Sequence, residues 1–250
     1  MNYFAPIIAG NIEIRLINSQ EELRETLHLR YKELLLPYNP KNKNKSELFK
    51  DLYDEQSDHL IAIDHSTNQI VGTYRLLRND MLKSGQSFVT EQEFDITKIK
   101  GNNILEIGRA VVKREFRNGA IIILLLIGLL KYAYIHRIKY LFGTASFRGT
   151  NPGTYSQALS YIYYHLLLPE HLKVKAQRIN SHPINILPKE KVDYNLAKKQ
   201  MPALIKGYIN VGATFGEDAF IDYDFNSIDL FVLADTAKIS KKYIERYVKE

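Results

Sequence analysis

Ile104-Leu-Glu-Ile-Gly-Arg-Ala-Val-Val112 is the stretch on which the reading of this chain turns. Its apolar residues are those of a buried strand, and two charges, Glu106 and Arg109, interrupt them. In a regular strand residues three apart point to opposite faces. One extra residue in a bulge at Gly108 would bring both charges to one face, and glycine is where a bulge is tolerated. Such a bulge also splays the strand from its neighbour and leaves the backbone N–H groups of Ala110, Val111 and Val112 free for a ligand. A buried structural ion pair is the other reading of the same two residues.

Working outward, Ala120–Leu130 (AIIILLLIGLL) follows the strand. A membrane-spanning helix needs roughly twenty apolar residues, and this run has about half of that. It reads as a helix buried on all sides, ending near Arg137. Upstream, Ile12–Ile17 alternates as a strand, and Ser19-x-x-Glu22 opens a helix with Leu23, Leu27, Leu34 and Leu35 on one stripe. Pro37 and Pro40 end it, Lys41–Lys45 is a loop, and Ser46–Gln56 looks helical. His59–Asp64 and Gln69–Leu77 form a hairpin around Ser66-Thr67-Asn68. Downstream, Tyr140–Ser146 is a strand, Tyr155–Leu168 a Tyr-rich helix, and Pro183–Val192 a loop. Leu204–Ala213, Ala219–Asp222 and Asp229–Leu233 are strand-like, and Ala237–Glu250 is a basic helix or tail. No repeat or linker appears, so a single α/β domain over residues 1–250 is expected.

The 250 residues carry 34 basic and 28 acidic side chains, a net charge of +6. That surplus favours an acidic partner: nucleic acid, an anionic membrane surface or an acidic carrier protein. Basic and aromatic residues are not interleaved as a nucleic-acid surface needs, so nucleic acid is set aside. The absence of cysteine excludes disulfides, thiolate zinc sites and a cysteine nucleophile, and it suits a reducing compartment. No P-loop, GxGxxG or HExxH is present, and no metal site is expected. The start of the chain has no signal-peptide pattern, which points to a cytoplasmic protein.

Several charges fit their surroundings badly. Arg30 lies in the apolar stripe of the first helix, and Arg75 sits mid-strand. Asp51, Asp54 and Asp58 would share one helical face, where like charges repel and invite a cation. A solvated face balanced by Lys50 is the plainer reading. Four elements, each with an ill-fitting charge, suggest a common polar cavity. His59-x-x-x-x-Asp64 has the form of the His/Asp pair of glycerolipid O-acyltransferases, but five residues apart on a strand face opposite ways. Phe147-Arg-Gly-Thr150 also lacks the glutamate of that family's second block.

The order of elements in the first 150 residues resembles the GNAT acyltransferase fold, an α/β fold with a mixed central sheet and a bulged, splayed fourth strand. More narrowly, six blocks resemble the ornithine N-acyltransferases of bacteria. They are Tyr53-Asp54 with Asp58-His-Leu60, Val71-Gly-Thr-Tyr-Arg-Leu-Leu77, Glu106-Ile-Gly-Arg109, Tyr140-Leu-Phe-Gly-Thr-Ala-Ser146, Leu204-Ile-Lys-Gly-Tyr208 and Asp224-Phe-Asn226. This resemblance implies transfer of a 3-hydroxyacyl group from acyl carrier protein to the α-amine of ornithine, giving lyso-ornithine lipid. It also implies a core over about residues 12–150, a half over 151–235 completing the sheet and acyl pocket, and a basic tail at 236–250.

The family is similar to acyl-homoserine-lactone synthases, whose charged residues would fall on Arg30, Asp54 and Asp58, Arg75, and Glu106 with Arg109. Substrate contacts are thereby implied at Arg30, Asp54, Asp58, Arg75, Ser146 and the amides of Ala110, Val111 and Val112, with Glu106 as base or amine holder. Arg109 would pair with Glu106 or the substrate carboxylate. An acyl tunnel would run beside Tyr155, Tyr161 and Tyr164. Where GNAT enzymes carry a Gly-rich pyrophosphate loop, this chain has Arg117-Asn-Gly-Ala120-Ile-Ile122, with Ala120 and Ile122 where small residues are wanted. That departure turns the donor from coenzyme A to phosphopantetheine on carrier protein, with no cofactor resident. Lys113, Arg114, Arg117 and Arg148 would meet the carrier's acidic surface, or are simply solvated charge. Glycine lipid or lactone chemistry, and a non-enzymatic protein docked on anionic inner membrane through Lys238–Lys249, are the alternatives.

Overall fold

The computed structural model describes residues 4–239, and these gather into two compact units. The first takes in residues 4–83 and Leu105–Lys139, the second Ser84–Ile104 and Tyr140–Ile239. Because the units interleave along the chain, no single linker separates them, and the sequence shows no break in composition. Most of the basic tail, residues 240–250, lies outside the described residues.

In chain order the first unit opens with β1 (Ile7–Ala9), β2 (Ile12–Leu16), α1 (Gln20–Arg30) and α2 (Leu36–Tyr38). β3 (Asp58–Asp64) and β4 (Gln69–Arg78) follow. The second unit then contributes β5 (Phe94–Asp95) before the chain returns as β6 (Ile104–Val112) and α3 (Ala120–Ile135). β7 (Tyr140–Arg148), α4 (Ser156–His165), β8 (Lys175–Ala176), β9 (Ser181–Pro183), α5 (Tyr194–Gln200), α6 (Ala203–Asn210), β10 (Thr214–Asp222) and β11 (Ser227–Asp235) complete it.

Within the first unit, β1, β2, β3, β4 and β6 lie side by side, each pair antiparallel. α3, apolar but for Lys131, seats itself on β2, β3 and β4, and it is not buried on all sides as expected, since Ile123 and Tyr134 stand exposed on the face away from the sheet's apolar side chains. Two glycines permit that approach. A Cβ on Gly128 would stand 2.7 Å from Ile14 Cγ2, and one on Gly72 would stand 2.9 Å from Ile121 Cγ2. α1 starts where Ser19 Oγ accepts the N–H of Glu22 at 3.2 Å. The Glu22 carboxylate accepts from Asn18 N and pairs with Arg15, so half of the expected capping box forms. After Arg30 the helix widens into a π turn, Tyr31–Leu35. Pro37 has no N–H to give back, and the Glu33 carbonyl accepts from Arg117 at 3.4 Å.

Two expectations are corrected. Ser46–Gln56 is a run of loop and turns, because Asp51 and Asp54 bond to nearby backbone N–H groups in place of a helical ladder. Leu204–Ala213 is mostly α6, with Ile205 and Tyr208, three residues apart, turned inward. A short apolar run fits strand or buried helix equally well by pattern, and Pro202 at its start settles the matter for helix. In the second unit, β7, β11, β10 and β9 pair antiparallel in that order, and β5 pairs with β8.

Candidate functional site

The expected bulge exists, one residue further on than glycine suggested. β4 and β6 pair Arg75 with Gly108 and Thr73 with Val111, so Arg109 and Ala110 together face Tyr74. The left-handed residue is Arg109, φ +54°, not Gly108. A side chain in that region costs roughly 1–2 kcal/mol. Side-chain contacts hold it there: Arg109 Nη2 donates to Asp51 Oδ2 at 2.8 Å, and the guanidinium lies 4.4 Å from the centre of the Phe49 ring. Register against β4 resumes at Val111 and Val112, so on that edge the looped-out amides are those of Arg109 and Ala110.

Around this bulge the first unit assembles a buried charge network from α1, β3, β4, β6 and the loop of Asp51 and Asp54. Arg30, fully buried at the end of α1, donates through Nη1 to Asp54 Oδ1 at 2.7 Å and through Nη2 to His59 Nδ1 at 2.8 Å. Since Nδ1 accepts, His59 carries its proton on Nε2 and donates it to the Asp54 carbonyl at 2.7 Å. Burial, seconded by the Arg30 charge, pushes His59 down to about 4. Burial likewise lowers Arg30 to about 10. Arg75 on β4 bridges the acids, donating from Nη1 to both oxygens of Asp51 at 2.6 Å and reaching Asp54 Oδ1 at 3.3 Å. Burial works against ionisation of Asp51, but Arg75 and Arg109 hold it well below the usual carboxylate range. Glu106 on β6 is 4% exposed, and its charge is felt by Arg75.

Of the residues singled out in the sequence, Arg30, Asp54, Arg75, Arg109 and Glu106 are thus brought into one neighbourhood. Asp58 is not. With no helix to align it, it pairs from the start of β3 with Arg78 at the end of β4, at 3.0 Å, and accepts from the Tyr132 hydroxyl. Its place is taken by Asp51, whose signal was present in the acidic trio but which the family pattern passes over. His59 was also missed as a member of this network. It makes no pair with Asp64, which binds Ser66 and Thr67 in the hairpin turn.

The loop between β6 and α3 is partly engaged with its own unit. Arg117 donates to the Val112 carbonyl at 2.8 Å and pairs with Glu33 at 2.7 Å, and Lys113 donates to Gln69 Oε1. Arg114 is exposed. At the head of α3, Gly119 is left-handed and Asn118 Oδ1 accepts the N–H of Ala120 at 3.0 Å, so a side chain already occupies part of this helix start. Ile122 is half-buried there. Ser146 and Arg148 belong to the second unit: Ser146 pairs in register with Asp229 of β11, and the Arg148 carbonyl accepts from Tyr155. In the same unit Tyr161 packs on Tyr194, and Tyr164 donates to the Leu187 carbonyl.

A strand with a bulge leading into a buried helix, over an antiparallel sheet, is the frame of the GNAT acyltransferases. Residues 29–127 match the family described as "Acetyltransferase (GNAT) domain". The fold is also that of the CoA-dependent acyl-homoserine lactone synthase BjaI, with a TM-score of 0.55 at 13% identity over 94% of this chain and 86% of that one. TofI, solved in a ternary complex with an inhibitor and MTA, gives 0.51 at 9% identity, covering 90% and 91%. This chain therefore has the GNAT fold. It is 35% identical over 247 residues, 95% of each chain, to the L-ornithine N(alpha)-acyltransferase of Rhodobacter capsulatus. It is 31% identical to that of Brucella abortus, over 96% of this chain and 90% of the relative. The chain belongs to the L-ornithine N(alpha)-acyltransferase family. A purely non-enzymatic docking protein is thereby set aside. Among the described residues no helix is long and apolar enough to cross a membrane.

Proposed function

We propose that this enzyme acylates the α-amine of ornithine, taking a 3-hydroxyacyl group from acyl carrier protein and releasing lyso-ornithine lipid. The observation that carries the acceptor is the near full-length likeness to relatives named for ornithine. The donor rests on the head of α3, where Asn118 takes the first helical N–H and Ala120 and Ile122 replace small residues, leaving poor room for a pyrophosphate.

An α-amine is mostly protonated at neutral pH and must lose a proton before it attacks. Glu106, buried and beside Arg75, takes that proton directly or through water. The amine nitrogen then bonds to the thioester carbon, the oxyanion is met by the amides of the bulge, and collapse breaks the C–S bond. The leaving thiolate of the phosphopantetheine takes the second proton of the attacking nitrogen, which leaves a neutral amide and a free thiol. Asp54 is committed to Arg30 and Asp58 to Arg78, so neither is offered to the distal ammonium of the acceptor. Lys113 and Arg114 meet the acidic carrier, while Arg117 is compensated by Glu33 and contributes less. The amphiphilic product and basic surplus fit transient contact with anionic inner membrane from the cytoplasmic side.

The test offers the purified enzyme ornithine, glycine and S-adenosylmethionine, each with 3-hydroxyacyl carrier protein or acyl coenzyme A. Mass spectrometry should find acyl-ornithine, formed fastest from carrier protein. Acyl-glycine or a lactone as the main product, or coenzyme A as the better donor, overturns the corresponding half of the proposal.

A further inference from the structure

Outside the charge network, the second unit gathers three carboxylates of its own. Glu93, Asp222 and Asp229 each offer an oxygen, and these oxygens lie within 4.8 Å of one another. The strand pairing explains the convergence. Asp229 on β11 faces Phe220 on β10, and Asp222 stands two residues along from Phe220, so the two acids share one face of the hairpin. Phe94 of β5 lands on that face, its ring 6.5 Å from Phe220 and 5.8 Å from Phe231, and carries its neighbour Glu93 over the acids. Glu93 is far in sequence from the other two, and no motif announces the three.

A cluster of acids alone would signify little, but Asp229 adds a second observation. Its side chain is 4% exposed, one oxygen accepts from Ser227 Oγ at 3.0 Å, and Oδ1 has no hydrogen-bond partner. A buried carboxylate oxygen without a donor is costly. Among the described residues neither Asp222 nor Asp229 is bonded to a Lys, Arg or His side chain; Asp222 caps the N–H of Phe225, and Asp229 accepts from the Ser227 hydroxyl.

We infer that Glu93, Asp222 and Asp229 form a binding site for a hard divalent cation of the Mg2+, Ca2+ or Mn2+ class, with Asp229 Oδ1 as the buried ligand. All-oxygen donors suit this class and not a soft metal. The inference stands apart from the proposed reaction, because its readout is binding and melting, not turnover.

The test strips the full chain with EDTA and titrates it with MnCl2, following free Mn2+ by electron paramagnetic resonance and unfolding by calorimetry. One ion should bind per chain and raise the melting temperature, with Mg2+ or Ca2+ competing. Asp229→Asn and, separately, Glu93→Gln should weaken binding at least tenfold. Without metal, Asp229→Asn should melt higher than the parent, since the isostere removes a buried charge; this shows that it folds. Absence of binding at millimolar Mn2+, Mg2+ and Ca2+, or undiminished binding by both variants, overturns the inference. So does stabilisation by ornithine, lost in Asp229→Asn, where the metals have no effect.

Discussion

Asp54 in the first unit and Asp229 in the second are both carboxylates at most 4% exposed, and they are treated in opposite ways. Asp54 meets the guanidinium of Arg30 at 2.7 Å, with Arg75 behind it, and its charge is compensated within the fold. Asp229 meets hydroxyls and another acid. The contrast separates two uses of buried charge. A compensated network fixes geometry and resists alteration, whereas an uncompensated acid stores a demand for a proton or a cation.

The largest effect expected from this contrast is on folding. Asp54→Ala leaves Arg30 buried without its carboxylate, a loss of about 3–5 kcal/mol in urea denaturation. Asp229→Asn should move the other way, and a parallel loss in both would break the comparison. Next comes chemistry inside the compensated network. Glu106→Gln should cut turnover by about 10²–10⁴-fold while the melting temperature stays near that of the parent. Near-normal turnover would remove Glu106 from the reaction.

Third, the two regions should give opposite pH slopes. His59 is depressed to about 4 from an ordinary 6.5, so the unfolded chain binds the extra proton and stability is lost as pH falls through that window. Asp229 is raised to about 6 from 3.8, so the folded chain holds the extra proton and stability is lost as pH rises through its window. In metal-free buffer these largely cancel between about pH 4 and 6. His59→Gln should unmask a decline with rising pH, and Asp229→Asn a gain, each on the order of 1–3 kcal/mol by urea titration across that range. The smallest effect lies in the backbone. Arg109→Gly accepts the left-handed conformation freely and should be more stable than Arg109→Ala by about 1–2 kcal/mol.

Much of the frame could be read without coordinates. The interrupted apolar strand, the all-apolar helix and the hairpin before them follow from periodicity, and the four blocks that carry Arg30, Asp54, Arg75 and Glu106 with Arg109 do lie together. What stayed hidden depends on contacts made at a distance. The bulge sits on Arg109, not on glycine, because Asp51 and Phe49 hold an arginine in a conformation that its own propensity disfavours. Asp58 was grouped with Asp54 through a helix that never forms, since aspartates bonding their own backbone compete with it. The acids of the second unit were invisible because Phe94, a residue of no apparent importance, is what delivers Glu93 to them.

Gly72 and Gly128 set the height at which α3 rests on the sheet, since any side chain there would strike Ile121 or Ile14. The loop of Lys113, Arg114 and Arg117 is therefore suspended between two fixed anchors, the end of β6 and the seated head of α3. A methyl group added at position 128 would lift the helix like a shim under a beam, and the loop would shift with it, although no residue of the loop had changed.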